Sequence, residues 1–295
     1  MRHSVRRILI LGCGYVGEKL ARACLAEGLQ VYATTRHQRR ALALEKLGIT
    51  SYCVDSPVDL TDELLASVDA ILDSIPLHRD AHGVHAMQST WLPKLSLKCP
   101  NLIWAGYLST TGVYGDANGA WVDESWPCQP SSARGRQRLL AEQAWLMSSL
   151  PAEVFRLAGI YGPERNIFER LKAGDYQAVV WQPAHYSSRI HVDDIVAALM
   201  AAMQSPKAGR IVNVADDMPL PHADYVCEVA SMIAAPQPVL LSEEEGRDQL
   251  SAAALSFFQD NKRVSNHLLH QELLAELKYP DFRHGIGSIM ASRDG

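Results

Sequence analysis

Residues 12–17 read Gly-Cys-Gly-Tyr-Val-Gly, and they stand between two different periodicities. Before them lies a short apolar run, Arg7–Leu11 (Arg-Ile-Leu-Ile-Leu), of the kind that forms a strand covered on both faces. After them Val16, Leu20, Ala23 and Cys24 recur at i, i+4, i+7 and i+8, which describes a helix with one apolar stripe that ends near Gly28. A G-x-G-x-x-G pattern in this setting has a physical meaning. The first glycine permits a tight turn, the second lets the backbone approach a pyrophosphate, and the third lets the helix lie close on the strand. Backbone N–H groups and the positive end of the helix dipole then attract the anion. The same segment holds Tyr15 and Lys19, a Y-x-x-x-K pair of the type that serves as acid and base in many oxidoreductases. On the helix those two are i and i+4 of the phosphate-binding element, far from a nicotinamide ring, so the glycine reading prevails. It makes Gly12, Gly14, Tyr15, Val16 and Gly17 the expected dinucleotide contacts.

The alternation continues. Strands are expected at Gln30–Thr34, Ser51–Val54, Ala70–Ile75, Leu102–Ser109, Val154–Leu157 and Ile211–Val214. Helices are expected at Gln38–Leu47, Asp62–Ser67, a stretch ending near Cys99 and Pro100, Leu139–Ser149 and Asp194–Met203. Strands alternating with helices imply an α/β fold with a doubly wound parallel sheet. Ala-Pro-Gln-Pro at 235–238 and Ser-Glu-Glu-Glu-Gly at 242–246 mark a connection into a smaller C-terminal lobe.

A chain of 295 residues, 47% of them hydrophobic, can bury a full core. Its net charge of −5 recruits neither nucleic acid nor an anionic membrane surface, so the expected partner is a small molecule. No apolar run approaches the roughly 20 residues needed to span a bilayer, and the basic start leads into a strand rather than a signal core. The six cysteines (Cys13, Cys24, Cys53, Cys99, Cys128 and Cys227) are scattered, with no C-x-x-C pair, as in a reduced, cytoplasmic protein.

The choice of dinucleotide rests on residues 31–40, Val-Tyr-Ala-Thr-Thr-Arg-His-Gln-Arg-Arg. NAD-binding versions of the turn place an acidic residue there for the ribose hydroxyls, and this stretch has none. Arg36, Arg39 and Arg40 crowd the start of the next helix instead, where cations oppose the dipole. A 2′-phosphate offsets that conflict through charge-assisted hydrogen bonds. NADP is therefore the expected cofactor, with NAD as the alternative, and Thr35 and Arg36 are its expected contacts.

Three further blocks follow the glycine turn in order: Tyr107–Asp116 (Tyr-Leu-Ser-Thr-Thr-Gly-Val-Tyr-Gly-Asp), Arg156–Pro163 (Arg-Leu-Ala-Gly-Ile-Tyr-Gly-Pro) and Arg189–Asp194 (Arg-Ile-His-Val-Asp-Asp). With them, nearly the whole chain resembles the extended short-chain dehydrogenase/reductase family of nucleotide-sugar epimerases and dehydratases, and especially its atypical members. The resemblance implies a Rossmann lobe made of residues 1–161 and about 189–234, and a substrate lobe made of residues 162–188 and about 235–295. It implies Asp55 beside the adenine, Ser74, Ile75 and Pro76 near the nicotinamide ribose, and Thr110 at the position of the hydroxyl that binds a substrate oxygen. It also implies a homodimer paired through two long helices.

The resemblance fails at the acid and base. Family members carry a tyrosine and, four residues later, a lysine, where this chain reads Pro-Ser-Ser-Ala-Arg-Gly-Arg-Gln-Arg-Leu over 130–139. Aligned on Gly135, Arg134 and Arg138 take those places. A guanidinium with a pKa above about 12 cannot shuttle protons, although Arg138 can still hold a ribose. Tyr114 and Tyr161 are the candidate replacement donors, against a packing role for each. His78, His82 and His85 share one face if helical and offer an imidazole acid, but no carboxylate lies at a matching offset, so no metal site is expected. Arg134, Arg136, Arg165, Arg170 and Arg189 hint at an anionic substrate, or are solvated or paired. In Arg189–Asp194 an aspartate is the expected helix cap. Two functions remain open: an NAD(P)-dependent oxidoreductase or epimerase with an altered active site, and a catalytically silent NADP-binding sensor or regulatory protein.

Overall fold

In the computed structural model, which describes residues 4–251, 255 and 258–292, the chain forms two compact units. The first comprises residues 1–113, 132–156 and 195–212, and the second residues 114–131, 157–194 and 213–295.

The first unit is built on a parallel sheet. Its strands are β1 (Arg7–Leu11), β2 (Gln30–Thr35), β3 (Thr50–Cys53), β4 (Ala70–Asp73), β5 (Trp104–Thr110), β6 (Ala152–Leu157) and β7 (Ile211–Val214). They lie in the order β7-β6-β5-β4-β1-β2-β3. Ile8 pairs with Val31 on one side and Ala70 on the other, so β1 is central and its apolar run is wholly buried. The chain travels outward from β1 through β2 to β3 and then returns to β4 on the opposite side. That reversal opens a crevice beyond the carboxyl ends of β1 and β4, where such sheets bind ligands.

The helices α1 (Tyr15–Ala26), α2 (Gln38–Glu45), α3 (Asp62–Ser67), α4 (Gln88–Lys98), α5 (Ala133–Met147) and α6 (Val192–Gln204) complete the alternation. Leu9, Leu11, Ile71, Trp91, Leu95, Tyr107 and Trp145 form one shared core, with the rings of Trp91 and Trp145 edge to face at 5.7 Å. Helix α5 starts six residues before the expected Leu139. Its first turns carry three arginines, which hide the apolar period, and the start is set by Ser132, whose hydroxyl accepts from the Gly135 N–H at 3.0 Å.

The histidine stretch is not helical, which corrects the shared face expected for His78, His82 and His85. Strands His78–Asp80 and Gly83–His85 form a hairpin with His78 opposite His85. The Asp80 carboxylate accepts from the His82 N–H two residues on, at 2.7 Å, and Gly83 supplies a φ of +126°, so turn chemistry overrides the periodicity.

Strand β6 carries two buried charges. The Arg156 guanidinium donates to Glu142 on α5 at 2.8 Å, and Glu142 also accepts from the Ser109 hydroxyl at 2.5 Å. Glu153 accepts from Arg210 at 2.7 Å and from the Lys207 N–H at 2.8 Å.

The second unit uses small sheets. Gly159–Tyr161 pairs in parallel with Arg189–His191, and Gln177–Val179 with Val239–Leu241. Helices Phe168–Lys172, His222–Met232 and Phe282–Ala291 enclose Tyr161, Phe168, Tyr225, Val226, Phe282 and Ile286. Residues 215–234, expected with the sheet, lie here instead, because Val226 and Val229 of their helix belong to this core. The expected aspartate cap at 193–194 is also corrected. The Asp194 carboxylate accepts from the Lys278 and Tyr279 N–H groups at 2.8 and 3.1 Å, and the Asp193 N–H donates to His191 Nδ1.

Asp216 in this unit is 1% exposed, and burial pushes its carboxyl up to about 8 although Arg189 pulls it down. The folded state therefore binds a proton that the unfolded chain, with its ordinary value near 3.8, gives up. The stability this contributes is full below about pH 4 and is lost as pH rises through about 8. Asp216→Asn, neutral throughout, is expected to melt several degrees above wild type at pH 8 and at the same temperature at pH 4, as read by calorimetry across that range.

Candidate cofactor site

Each of the three glycines in the turn after β1 does a separate task. Gly12 has φ +72°, and a Cβ there would stand 2.9 Å from the Ile75 Cα. Its N–H donates to the Thr34 hydroxyl at 2.9 Å, and the Cys13 N–H donates to the Thr34 carbonyl at 2.9 Å. Gly17 would bring a Cβ within 3.0 Å of the Ile10 side chain, so glycine here lets α1 lie close on β1 without displacing Ile10. At Gly14 a Cβ would meet nothing nearer than the Gly12 carbonyl oxygen at 3.8 Å. That position faces open space at the amino end of α1, a cradle that a ligand phosphate fits and a side chain would fill.

A cavity of about 270 Å³ opens there, lined by Gly12, Cys13, Gly14, Thr34, Thr35, Arg36, His37, Arg40, Val54, Asp55, Ser56, Pro57, Ile75 and Pro76. Of the residues expected from the sequence, Gly12, Gly14, Thr35, Arg36, Asp55, Ile75 and Pro76 line this cavity. Val16 is buried in the packing of α1, and Tyr15, Gly17, Ser74 and Arg138 are not among the lining residues. Cys13, Thr34, His37, Val54, Ser56 and Pro57 were missed. Thr34 and Ser56 sit beside residues that were found, so the carboxyl ends of β2 and β3 were the available signal.

The cavity is basic on its α2 side. His37 caps α2 in an extended conformation with no side-chain cap bond, and no acid stands in the first turn of that helix. Arg40 pairs with Glu18 at 2.7 Å and donates to the Cys13 carbonyl at 3.4 Å, which ties α2 to the glycine turn. Burial raises the Glu18 carboxyl, but bonds from Arg22 and Arg40 outweigh it and hold the group below its usual range.

The opposite wall is the segment after β4. Ser74 donates to the Gly12 carbonyl at 2.7 Å rather than facing the cavity. Arg138 sends one guanidinium nitrogen to the Tyr107 hydroxyl at 3.0 Å, the Leu108 carbonyl at 3.3 Å and the Ile75 carbonyl at 3.4 Å. Thr110, at the carboxyl end of β5, is half-buried and accepts from the Gly112 N–H at 3.2 Å.

The two candidate tyrosines lie in the second unit. Tyr114 is fully buried and donates to Asn213 at 2.7 Å. Tyr161 is 4% exposed, donates to the Asp281 carbonyl at 3.4 Å, and is pushed far above the ordinary phenol range, chiefly by burial. Both are packing tyrosines with engaged hydroxyls. Arg189 is also spent internally, stacked 3.6 Å over the Tyr225 ring and bonded to Ser187, and Arg170 stacks 4.7 Å over Tyr176.

A model of the NAD dependent epimerase/dehydratase family matches residues 8–215, from β1 through β7. The chain belongs to that family. Protein YeeZ of Escherichia coli K12 is 28% identical over 292 residues, covering 94% of this chain and 97% of YeeZ. A 3-diazoavenalumate denitrifying reductase of a Streptomyces species is 24% identical over 313 residues, covering 95% and 99%. A solved structure of a conserved protein of unknown function from Silicibacter pomeroyi DSS is 35% identical, with a TM-score of 0.87 and coverage of 97% and 98%. Membership of the epimerase/dehydratase family carries NAD(P) binding with it. Among the described residues, no helix is long and apolar enough to cross a membrane.

Proposed function

We propose that this protein is an NADP-dependent oxidoreductase of the epimerase/dehydratase family acting on a small carbonyl or sugar-nucleotide compound. One observation carries the cofactor choice: Arg36, His37 and Arg40 gather where α2 begins, at the edge of the cavity. Thr35 and Arg36 would hold the 2′-phosphate, with the glycine turn on the pyrophosphate and Ile75 and Pro76 along the nicotinamide side. When bound, the cofactor supplies a hydride. The hydroxyl of Thr110 would hold the substrate oxygen. The relative described as a reductase supports hydride transfer as the reaction type.

NADPH is expected to bind at least tenfold more tightly than NADH in fluorescence titrations, and Arg36→Glu to remove that preference, since a charge-assisted bond to phosphate is worth about 1.5–3 kcal/mol. Equal affinities in the wild type would refute the choice.

A second reading, a silent NADP-binding sensor, is favoured by Arg134 and Arg138 at the tyrosine and lysine positions and by the engaged hydroxyls of Tyr114 and Tyr161. Incubation of the protein and NADPH with a panel of carbonyl compounds and sugar nucleotides decides between the two. Consumption of NADPH or isomerisation of a sugar establishes the enzyme, and tight binding with no turnover establishes the sensor.

A further inference from the structure

The segment Ser74–Pro76 carries a buried carboxylate at its root. Asp73 ends β4 and is fully buried. One of its oxygens accepts from the Ile75 N–H at 3.0 Å, and the other accepts from Trp145 Nε1 at 2.8 Å and Gln88 Nε2 at 3.0 Å. Burial pushes the carboxyl up, and the indole, the amide, the Ile75 N–H and the nearby charge of Arg138 work against that.

The geometry points to Asp73 as a positioning residue of the cofactor site, holding Ile75 in place as the wall that faces the glycine turn. This rests on the dinucleotide reading given above. Ile75 is pinned twice, at its N–H by Asp73 and at its carbonyl by Arg138, and its neighbour Ser74 is tied to Gly12. Its Cα stands so close to Gly12 that a single added carbon on the glycine would touch it. A shift of Ile75 by a fraction of an ångström would therefore change the wall of the cavity beside the glycine turn. The carboxylate suits the task because its two oxygens divide the work. One anchors to α4 and α5 through Gln88 and Trp145, and the other fixes the backbone two residues on. Arg138 reaches the carbonyl of the same residue, so Ile75 is held at both of its peptide groups.

The test separates positioning from folding. Asp73→Ala removes every bond. Asp73→Ser is too short to reach Gln88 and Trp145, but its hydroxyl can still accept from an N–H two residues later. Both variants lose stability alike in urea unfolding. NADPH affinity is expected to fall on the order of tenfold or more in Asp73→Ala and to return to near the wild-type value in Asp73→Ser. Equal weakening in the two, in step with their loss of stability, overturns the proposal. If the alanine variant does not fold, Asp73→Leu, close to aspartate in shape and without an acceptor, replaces it. Hydrogen exchange on the wild type gives an independent check, because an unprotected Ile75 amide also overturns the proposal. A wild type that binds no dinucleotide removes the cofactor reading itself, whereas a wild type that binds as Asp73→Ala does removes the positioning role alone.

Discussion

Gly14→Ala is expected to fold like the wild type and to bind NADPH about 100-fold more weakly, a change of about 3 kcal/mol. The two halves of that result come from one measurement on the structure. A methyl group at residue 14 meets no protein atom closer than 3.8 Å, so the core and the turn are undisturbed. The same methyl group occupies the space into which the backbone would otherwise admit a phosphate. Differential scanning calorimetry and fluorescence titration on one preparation check both halves. Gly12→Ala is the contrasting case, because the new carbon meets Ile75 and the backbone there has a positive φ. Both binding and melting temperature fall in that variant. If Gly14→Ala binds as well as the wild type, the glycine turn does not cradle the pyrophosphate.

The second large effect is on stability. Arg156→Met is expected to destabilise the protein by about 3–5 kcal/mol in urea unfolding, because it leaves Glu142 charged in the interior. The side chains of this pair are only 4% and 1% exposed, so water cannot take over from the missing guanidinium. Replacing both partners with apolar residues, Arg156→Met with Glu142→Leu, should recover most of that loss, since a buried pair repays little beyond its own desolvation. A single variant as stable as the wild type would show that the pair contributes nothing to stability.

The local parts of this fold could be read from the residues. The apolar run of β1, the glycines and the stripe of α1 lie within twenty consecutive positions, and each reports on its immediate neighbours. The arginines at the start of α2 were visible in the same way, as charges standing where a helix dipole disfavours them. Partners distant in sequence were not visible. Glu142 meets Ser109 and Arg156, and Glu153 meets Arg210, so charges that look like surface residues in a linear reading are interior ones. Asp73 appeared to be one more residue of a strand expected to run to Ile75, and its role depends on an indole 72 positions away. The buried, engaged hydroxyls of Tyr114 and Tyr161 were hidden for the same reason, since the family blocks place them along the chain while packing decides what a hydroxyl meets.

The strand order has a consequence for biosynthesis. The first five strands are complete by Thr110, but β6, the outer neighbour of β5, arrives only with residues 152–157. A nascent chain leaving the ribosome therefore exposes an unsatisfied sheet margin bearing Trp104 and Tyr107 while about forty further residues are translated. Truncated products that stop short of Ala152 keep that margin open, and they are the species a chaperone must shield from self-association.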